Sequence, residues 1–281
     1  MTDAKRCRQV TVMPDGGFCF GVRGAVDAVD DCPTPAAVLG EIAHNPTVME
    51  DLRARGVRVV YAPEEIRPEE TVIIRSHGIA PEVAHRLESR AHRVIDATCP
   101  RVRRAQRAAR DAAETGWPVV VVGRADHPEV EGVVGHAGPG TEVVSTAAAA
   151  RALSPKQRRA VVFQTTFDPS LVEGVLQALR EVTDRLWVRD TICTVVAHRR
   201  ETVARMAREV DAVVVVGGAN SSNTAALAQV VKEAGTPVHC VEKAMELPLP
   251  ELERYTRFAV VGGTSTPLES LQEVARRISG C

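Results

Sequence analysis

Residues 118–132 read PVVVVGRADHPEVEG. The unbroken quartet Val119–Val122 has strand length and no polar face, the signature of a strand buried on both sides. The polar loop that follows ends in His127-Pro128, and proline suits the first position of a helix because its missing N–H has no partner there anyway. Strand, polar loop and Pro-started helix in this order describe one turn of an α/β unit with a parallel sheet.

The same order recurs along the chain. TVIIRSHGIAP (71–81), AVVFQTTFDP (160–169) and FAVVGGTSTP (258–267) each run from an apolar stretch into a polar loop and then a proline. AAVLGEIAHNP (36–46) and AVVVVGGANSSN (212–223) repeat the strand-to-loop step. Three cysteines punctuate these segments, in GFCFGVRGAVDAV (17–29), DATCPRVRRAQRAA (96–109) and DTICTVVAHRRETVARMA (190–207). Each precedes an amphipathic helix, marked by Val22, Ala25, Val26 and Val29 in the first case. Positions 19, 99 and 193 are 80 and then 94 residues apart. From each cysteine to the next polar loop (His44, His127, Ser221) the steps are 25, 28 and 28 residues; the second loops (His77, Thr165, Ser265) follow after 33, 38 and 44. The expectation is an α/β fold of three pseudo-threefold-related domains with small parallel sheets, a trefoil around a central site, divided at 1–98, 99–192 and 193–281.

The bulk numbers are those of an ordinary globular chain. Its 281 residues are 44% hydrophobic and 25% charged. A net charge of −1 gives no global field to recruit nucleic acid or a membrane, and 3% aromatics are too few for base-stacking platforms. No apolar run reaches the ~20 residues of a membrane span, and MTDAKRCRQV lacks the apolar core of a signal peptide. The expected location is the cytoplasm, where seven cysteines stay reduced and serve metal or redox chemistry better than disulfides.

A lone cysteine is most often a small buried hydrophobe, and Cys7, Cys32, Cys240 and Cys281, outside the repeated frame, are read that way. Repetition at matching positions singles out Cys19, Cys99 and Cys193. Helix N-termini favour the thiolate, the form that binds metals. No C-x-x-C pair is present, which disfavours zinc ribbons and ferredoxin-type clusters. Three thiols on one object suit a [4Fe–4S] cluster with one iron left open; a three-cysteine zinc site with a fourth ligand is the rival.

In parallel sheets, ligands bind beyond the carboxyl ends of the strands. The loops there offer His44, His77, His127, Thr165, Ser221, Ser222, Asn223 and Ser265, donors that together form a cradle for a compact dianion or a diphosphate. Simple helix capping explains any one of the Ser, Thr or Asn residues. Glu129 is the acid at the centre of these loops. It reads either as a proton donor with a raised pKa or as a first-turn complement to a helix dipole. Arg101, Arg103, Arg104, Arg107 and Arg110 follow Cys99 on one helix. Such a run is either a solvated face or a docking surface for an acidic electron carrier.

The motifs GFCFGV, EIAHNP, SHG, DATCP, HPEVEG, QTT, DTIC, NSSN and STP, in that order over essentially the whole chain, resemble those of the LytB-type 4-hydroxy-3-methylbut-2-enyl diphosphate reductases of the methylerythritol phosphate route to isoprenoids. The resemblance implies a [4Fe–4S] cluster on Cys19, Cys99 and Cys193. It implies substrate binding by His44, His77, His127, Ser221, Ser222, Asn223 and Ser265, with Thr165 lining the pocket, and Glu129 as the proton source. The implied reaction removes the hydroxyl group of the allylic diphosphate reductively, giving isopentenyl and dimethylallyl diphosphates, with ferredoxin or flavodoxin as electron donor. Phe20, Arg75 and Val196 depart from the residues usual in the family, near the expected cluster. They keep a diverged paralogue acting on another allylic diphosphate or phosphate ester open as an alternative. A non-catalytic iron–sulfur or zinc sensor and a zinc hydrolase are the remaining readings.

Overall fold

The structure is a computed structural model and describes residues 8–32, 35–43 and 45–280. The strands are β1 (Gln9–Val12), β2 (Ala36–Leu39), β3 (Arg58–Val60), β4 (Thr71–Ile74), β5 (Arg93–Asp96), β6 (Val119–Val122), β7 (Glu142–Val144), β8 (Lys156–Phe163), β9 (Thr183–Arg189), β10 (Ala212–Val216), β11 (Val238–Val241) and β12 (Arg257–Gly262). Between them lie α1 (Phe20–Asp30), α2 (Pro46–Ala54), α3 (Pro81–Glu88), α4 (Pro100–Glu114), α5 (Pro128–Ala137), α6 (Ala147–Arg151), α7 (Val172–Glu181), α8 (Thr194–Ala207), α9 (Ser222–Glu233), α10 (Leu249–Leu252) and α11 (Leu268–Ser279).

The described strands form three four-stranded sheets, ordered β1-β12-β10-β11, β3-β2-β4-β5 and β7-β6-β8-β9. Every pairing is parallel. Read from the strand that precedes each cysteine, the three orders are the same. The cysteine strand (β1, β5 or β9) lies at one edge. The strand before the second polar loop (β12, β4 or β8) is next to it, and the strand before the first polar loop (β10, β2 or β6) follows. A short strand (β11, β3 or β7) closes the other edge. The threefold repeat read from the sequence is therefore a repeat of sheet topology.

The chain divides into two compact units. One comprises the residues up to Val22, Ala43–Arg55 and those from Thr194 on, and holds the sheet of β1, β10, β11 and β12. The other comprises Arg23–Ile42 and Gly56–Cys193 and holds the other two sheets. Strand β1, from the stretch 1–98, pairs with β12 in register Gln9 to Arg257.

Burial explains why the central strands are so uniformly apolar. β2, β4, β6 and β10 are buried at every position. Successive side chains point to opposite faces. Val213 and Val215 accordingly pack with Leu227 of α9 and Val203 of α8, while Val214 and Val216 pack with Leu271 and Val274 of α11. In the second unit Val119 and Val121 pack with Ala105 and Ala109 of α4, and Val120 and Val122 with Val175 and Leu179 of α7. Each such valine contributes about 1.5–3 kcal/mol by leaving water, so a polar residue on either face would break its sheet. This two-sided cover leaves only the strand ends for chemistry.

Candidate active site

Each of the three cysteines is held by the same hydrogen bond. The Cys99 N–H donates to the Ser76 carbonyl (3.0 Å), that of Cys193 to Thr165 (2.8 Å) and that of Cys19 to Thr264 (2.9 Å). Every acceptor sits in the turn just past the neighbouring strand. Those turns match as well: Gly78 N–H donates to Arg75, Phe167 to Gln164 and Thr266 to Gly263. This register makes Thr165 the counterpart of Ser76 and Thr264. Thr166, not Thr165, is the counterpart of His77 and Ser265. Spacing alone had set Thr165 beside the latter pair, because one residue of slip is invisible to counting.

Two of the thiols follow an aspartate three residues earlier. Asp96 Oδ1 accepts the Thr98 N–H (2.9 Å), and Asp190 Oδ1 accepts the Ile192 N–H (3.1 Å). These side-chain turns end β5 and β9 and aim the next residue. The D-x-x-C pattern in DATC and DTIC was the sequence signal for them. Cys99 caps α4, and Cys193 immediately precedes α8. Cys19, Cys99 and Cys193 are half-buried; so is Cys32, whereas Cys240 is exposed. Cys7, Cys281 and His44 lie outside the described residues.

In the second unit the carboxyl ends of β4, β6 and β8 bring His77, His127, Glu129 and Thr165 together. The His77 and His127 rings meet edge to face, 5.3 Å between centroids. His127 caps α5: its Nδ1 accepts the Glu129 N–H (3.2 Å), which leaves the proton of the neutral ring on Nε2. Glu129 is 2% exposed. Its Oε1 accepts the Thr165 N–H (2.5 Å) and its Oε2 the Thr165 hydroxyl (2.8 Å). Burial pushes this carboxyl up to about 7, against the opposing pull of those two bonds. Glu129 does lie in the first turn of its helix, as the dipole reading requires, but it is buried at a pKa suited to proton transfer near neutrality.

Sequence reasoning missed Gln106. This buried residue of α4 lies where a side chain on Gly78 would have to go, beside Thr98, and its Nε2 has no partner. A glutamine on an arginine-rich helix gives no hint that it points inward. Arg75 crosses the end of β2, with Nη1 3.5 Å from the Glu41 carbonyl. Gly40, at φ +74°, makes room for it, since a side chain there would collide with the guanidinium.

In the first unit, Ser221 caps α9 by accepting the Thr224 N–H (3.3 Å), as the plain capping reading foresaw. Asn223 is different. It is buried, and neither its amide nitrogen nor its amide oxygen has a partner. The buried Ser265 hydroxyl also has none. Ser222 is partly exposed. A buried polar group without a partner costs about 1–3 kcal/mol, so two at the ends of neighbouring strands, beside a helix N-terminus, give a surface suited to a polar ligand.

The donor set suits an iron–sulfur cluster. The three cysteines are thiols, the side chains such clusters bind. Among the described residues, no three His, Cys, Asp or Glu side chains are grouped as around one metal ion. A four-iron cluster does not require that grouping, because each thiolate binds its own iron.

A model of the LytB protein family matches residues 10–279. The chain belongs to the LytB family. Among curated relatives, the 4-hydroxy-3-methylbut-2-enyl diphosphate reductase of Pelobacter propionicus is 36% identical over 274 residues, covering 96% of this chain and 97% of the relative. That of Anaeromyxobacter sp. is 37% identical over 279 residues, covering 97% of each. A solved (E)-4-hydroxy-3-methyl-but-2-enyl diphosphate reductase, described as the terminal enzyme of the non-mevalonate pathway, matches with a TM-score of 0.72 at 32% identity, covering 98% of this chain and all of that one. The Plasmodium falciparum E-1-hydroxy-2-methyl-but-2-enyl-4-diphosphate reductase shares the fold, with a TM-score of 0.88 at 23% identity over 95% of this chain and 86% of its own. The LytB fold accounts for the three repeated parallel sheets. Among the described residues no helix is long and apolar enough to cross a membrane.

Proposed function

We propose that this LytB protein removes the hydroxyl group of 4-hydroxy-3-methylbut-2-enyl diphosphate reductively, in the cytoplasm, giving isopentenyl and dimethylallyl diphosphates. Cys19, Cys99 and Cys193 would hold a [4Fe–4S] cluster. When bound, that cluster supplies electrons and a coordination position open to substrate.

The remaining roles belong to side chains. The reaction consumes two electrons and two protons and releases water. Glu129, pushed up to about 7, carries a proton at neutral pH and gives it up easily. Thr165, whose N–H and hydroxyl both donate to the carboxyl, orients it; when Glu129 is protonated, its O–H can donate to the Thr165 hydroxyl oxygen in turn, and that hydroxyl can pass its own proton on. The Nε2 proton of His127 is fixed by the bond at Nδ1 and is available to an anionic oxygen. Asn223 and Ser265 bring polar atoms that have no protein partner, and the N-terminus of α9 adds positive partial charge for a diphosphate. His44, His77, Ser221 and Ser222 complete the donor set in this reading. Burial of Glu129, Thr165 and His127 excludes water from competing for the proton.

The single observation that carries the reading is the buried, protonatable Glu129 clasped by Thr165 beside His127. The test is turnover of the hydroxymethylbutenyl diphosphate by anaerobically purified protein with a chemical reductant. Wild-type protein should produce both isoprenyl diphosphates. Glu129→Gln should retain its iron and lose turnover; comparable rates in the two proteins would remove Glu129 from the mechanism.

A further inference from the structure

A cleft of about 410 Å³ lies between α4 and the end of β9, lined by Arg104, Arg107 and Arg189, by Asp111 and Asp190, and by Val188. Arg104 closes its floor by donating to the Asp190 carbonyl (2.7 Å). The five arginines of α4 do not share one role. Arg103 turns back on the Asp96 carboxylate (2.9 Å) and the Thr98 carbonyl (3.3 Å), bracing the turn before Cys99. Arg110 lies between Asp111 (3.5 Å) and Glu114 (3.7 Å). All five are exposed on the helix, Arg104 and Arg107 at the cleft, and Arg189 stands across it with its guanidinium 5.3 Å from the Trp187 ring. Three arginines at this opening, Arg104, Arg107 and Arg189, outnumber its two acids, Asp111 and Asp190, in a chain of net charge −1.

Both walls of that opening lead to a thiol. Arg104 is five residues from Cys99, the cap of its own helix, so the cationic face starts little more than one turn from the sulfur. On the other wall Arg189, Asp190, Thr191 and Ile192 run directly into Cys193. A solvated helix face needs no such placement.

We infer that this cleft is the docking face for an acidic one-electron carrier protein; the inference rests on the cluster reading above. Replacing the substrate C–O bond by C–H and releasing water takes two electrons and two protons. Each reduced carrier gives up one electron and leaves oxidised, so two dockings serve one turnover. A partner that must leave between dockings suits a surface of steering charges with little apolar area, and Val188 is the one large apolar side chain exposed in the cleft. Steering of this kind accelerates encounter at low salt and fades as salt is added.

The test compares two donors with one holoenzyme, reduced methyl viologen and a reduced acidic [2Fe–2S] ferredoxin, using wild type and the double variant Arg107→Glu/Arg189→Glu. With ferredoxin, the variant should lose about tenfold or more in kcat/KM at low salt, and its rate should lose most of its salt dependence. With viologen, the two proteins should turn over alike. Unchanged ferredoxin kinetics in the variant would overturn the docking face and leave the reductase reading standing, as would an equal loss with both donors, which would make the arginines structural. Failure of the wild type to turn over with viologen would sink the reductase reading itself, and the docking face with it.

Discussion

The two ends of the sheets treat carboxylates in opposite ways. At the amino ends each sheet has an arginine paired with an acid: Arg58 with Glu70 (2.6 Å), Arg159 with Glu142 (2.9 Å) and Arg257 with Asp211 (2.7 Å). At the carboxyl ends Glu129 has, among the described residues, only the two Thr165 donors. Burial is the largest influence on Glu70, Glu142 and Glu129 alike, and it pushes each pKa up. For Glu70 the Arg67 N–H and the Arg58 guanidinium outweigh it, and for Glu142 Arg159 and Lys156 do, so both acids end below the usual range. Without a cation, Glu129 ends near 7. The same chemistry, with or without a partner, separates the end that holds the fold together from the end at which we propose proton transfer.

The sharpest way to break this comparison is Glu129→Gln. Loss of general acid catalysis should reduce kcat by about 10²–10⁴. In wild type, kcat should fall as pH rises through about 7 and the proton is lost. Stability should move the other way. A folded pKa above the unfolded value means that the native state binds more protons between about 4.5 and 7, so stability falls as pH rises through that window. A shift of that size costs up to about 3 kcal/mol at neutral pH. Gln should recover on the order of 1–3 kcal/mol of it, read as a higher denaturation midpoint at pH 7.5 and no gain at pH 4.

The reciprocal change is Glu142→Gln, which leaves the fully buried Arg159 without its carboxylate. It should cost about 3 kcal/mol in denaturant unfolding and leave the KM for substrate unchanged. The paired acids also have the opposite pH dependence. With folded pKa values below the unfolded ones, Glu70 and Glu142 give stability that is present above about pH 4.5 and lost on acidification. Substitution of Asn223 by Ala sharpens the contrast from the ligand side. Inhibition by inorganic diphosphate should weaken about tenfold, the loss of a good polar contact, while stability stays level or rises because two unpartnered buried atoms are gone. A large loss of stability there would mean that Asn223 serves the fold. The smallest effect is expected for Gly40→Ala. Its φ of +74° disfavours a side chain, and the Arg75 guanidinium would have to swing away. About 1 kcal/mol of stability should be lost.

Much of this was legible before any coordinates. The valine runs of β6 and β10 and the prolines after the polar loops fixed the α/β repeat, because buried parallel strands and Pro-started helices leave local marks. The edge strands β3, β7 and β11 leave weaker ones: they are three or four residues long with partly exposed faces. The placement of β1 beside β12 is a pairing across almost the whole chain, and no local pattern encodes it. At the site, the identity of Glu129 and of the loop donors could be read from HPEVEG and NSSN. Capping by His127, the one-residue slip at Thr165 and the inward turn of Gln106 depend on backbone geometry, which spacing does not record. The arginine run on α4 was legible as charge, but its division into a member that braces the Cys99 turn (Arg103) and one at the cleft (Arg107) depends on which acids lie within reach.

The account is tested most directly by iron, zinc and acid-labile sulfide analysis of anaerobically purified protein, with turnover of 4-hydroxy-3-methylbut-2-enyl diphosphate measured on the same sample. The expected result is brown protein with about four irons and four sulfides per chain that yields isopentenyl and dimethylallyl diphosphates. Colourless protein carrying stoichiometric zinc, or a fully iron-loaded sample that leaves the hydroxyl in place, would contradict it.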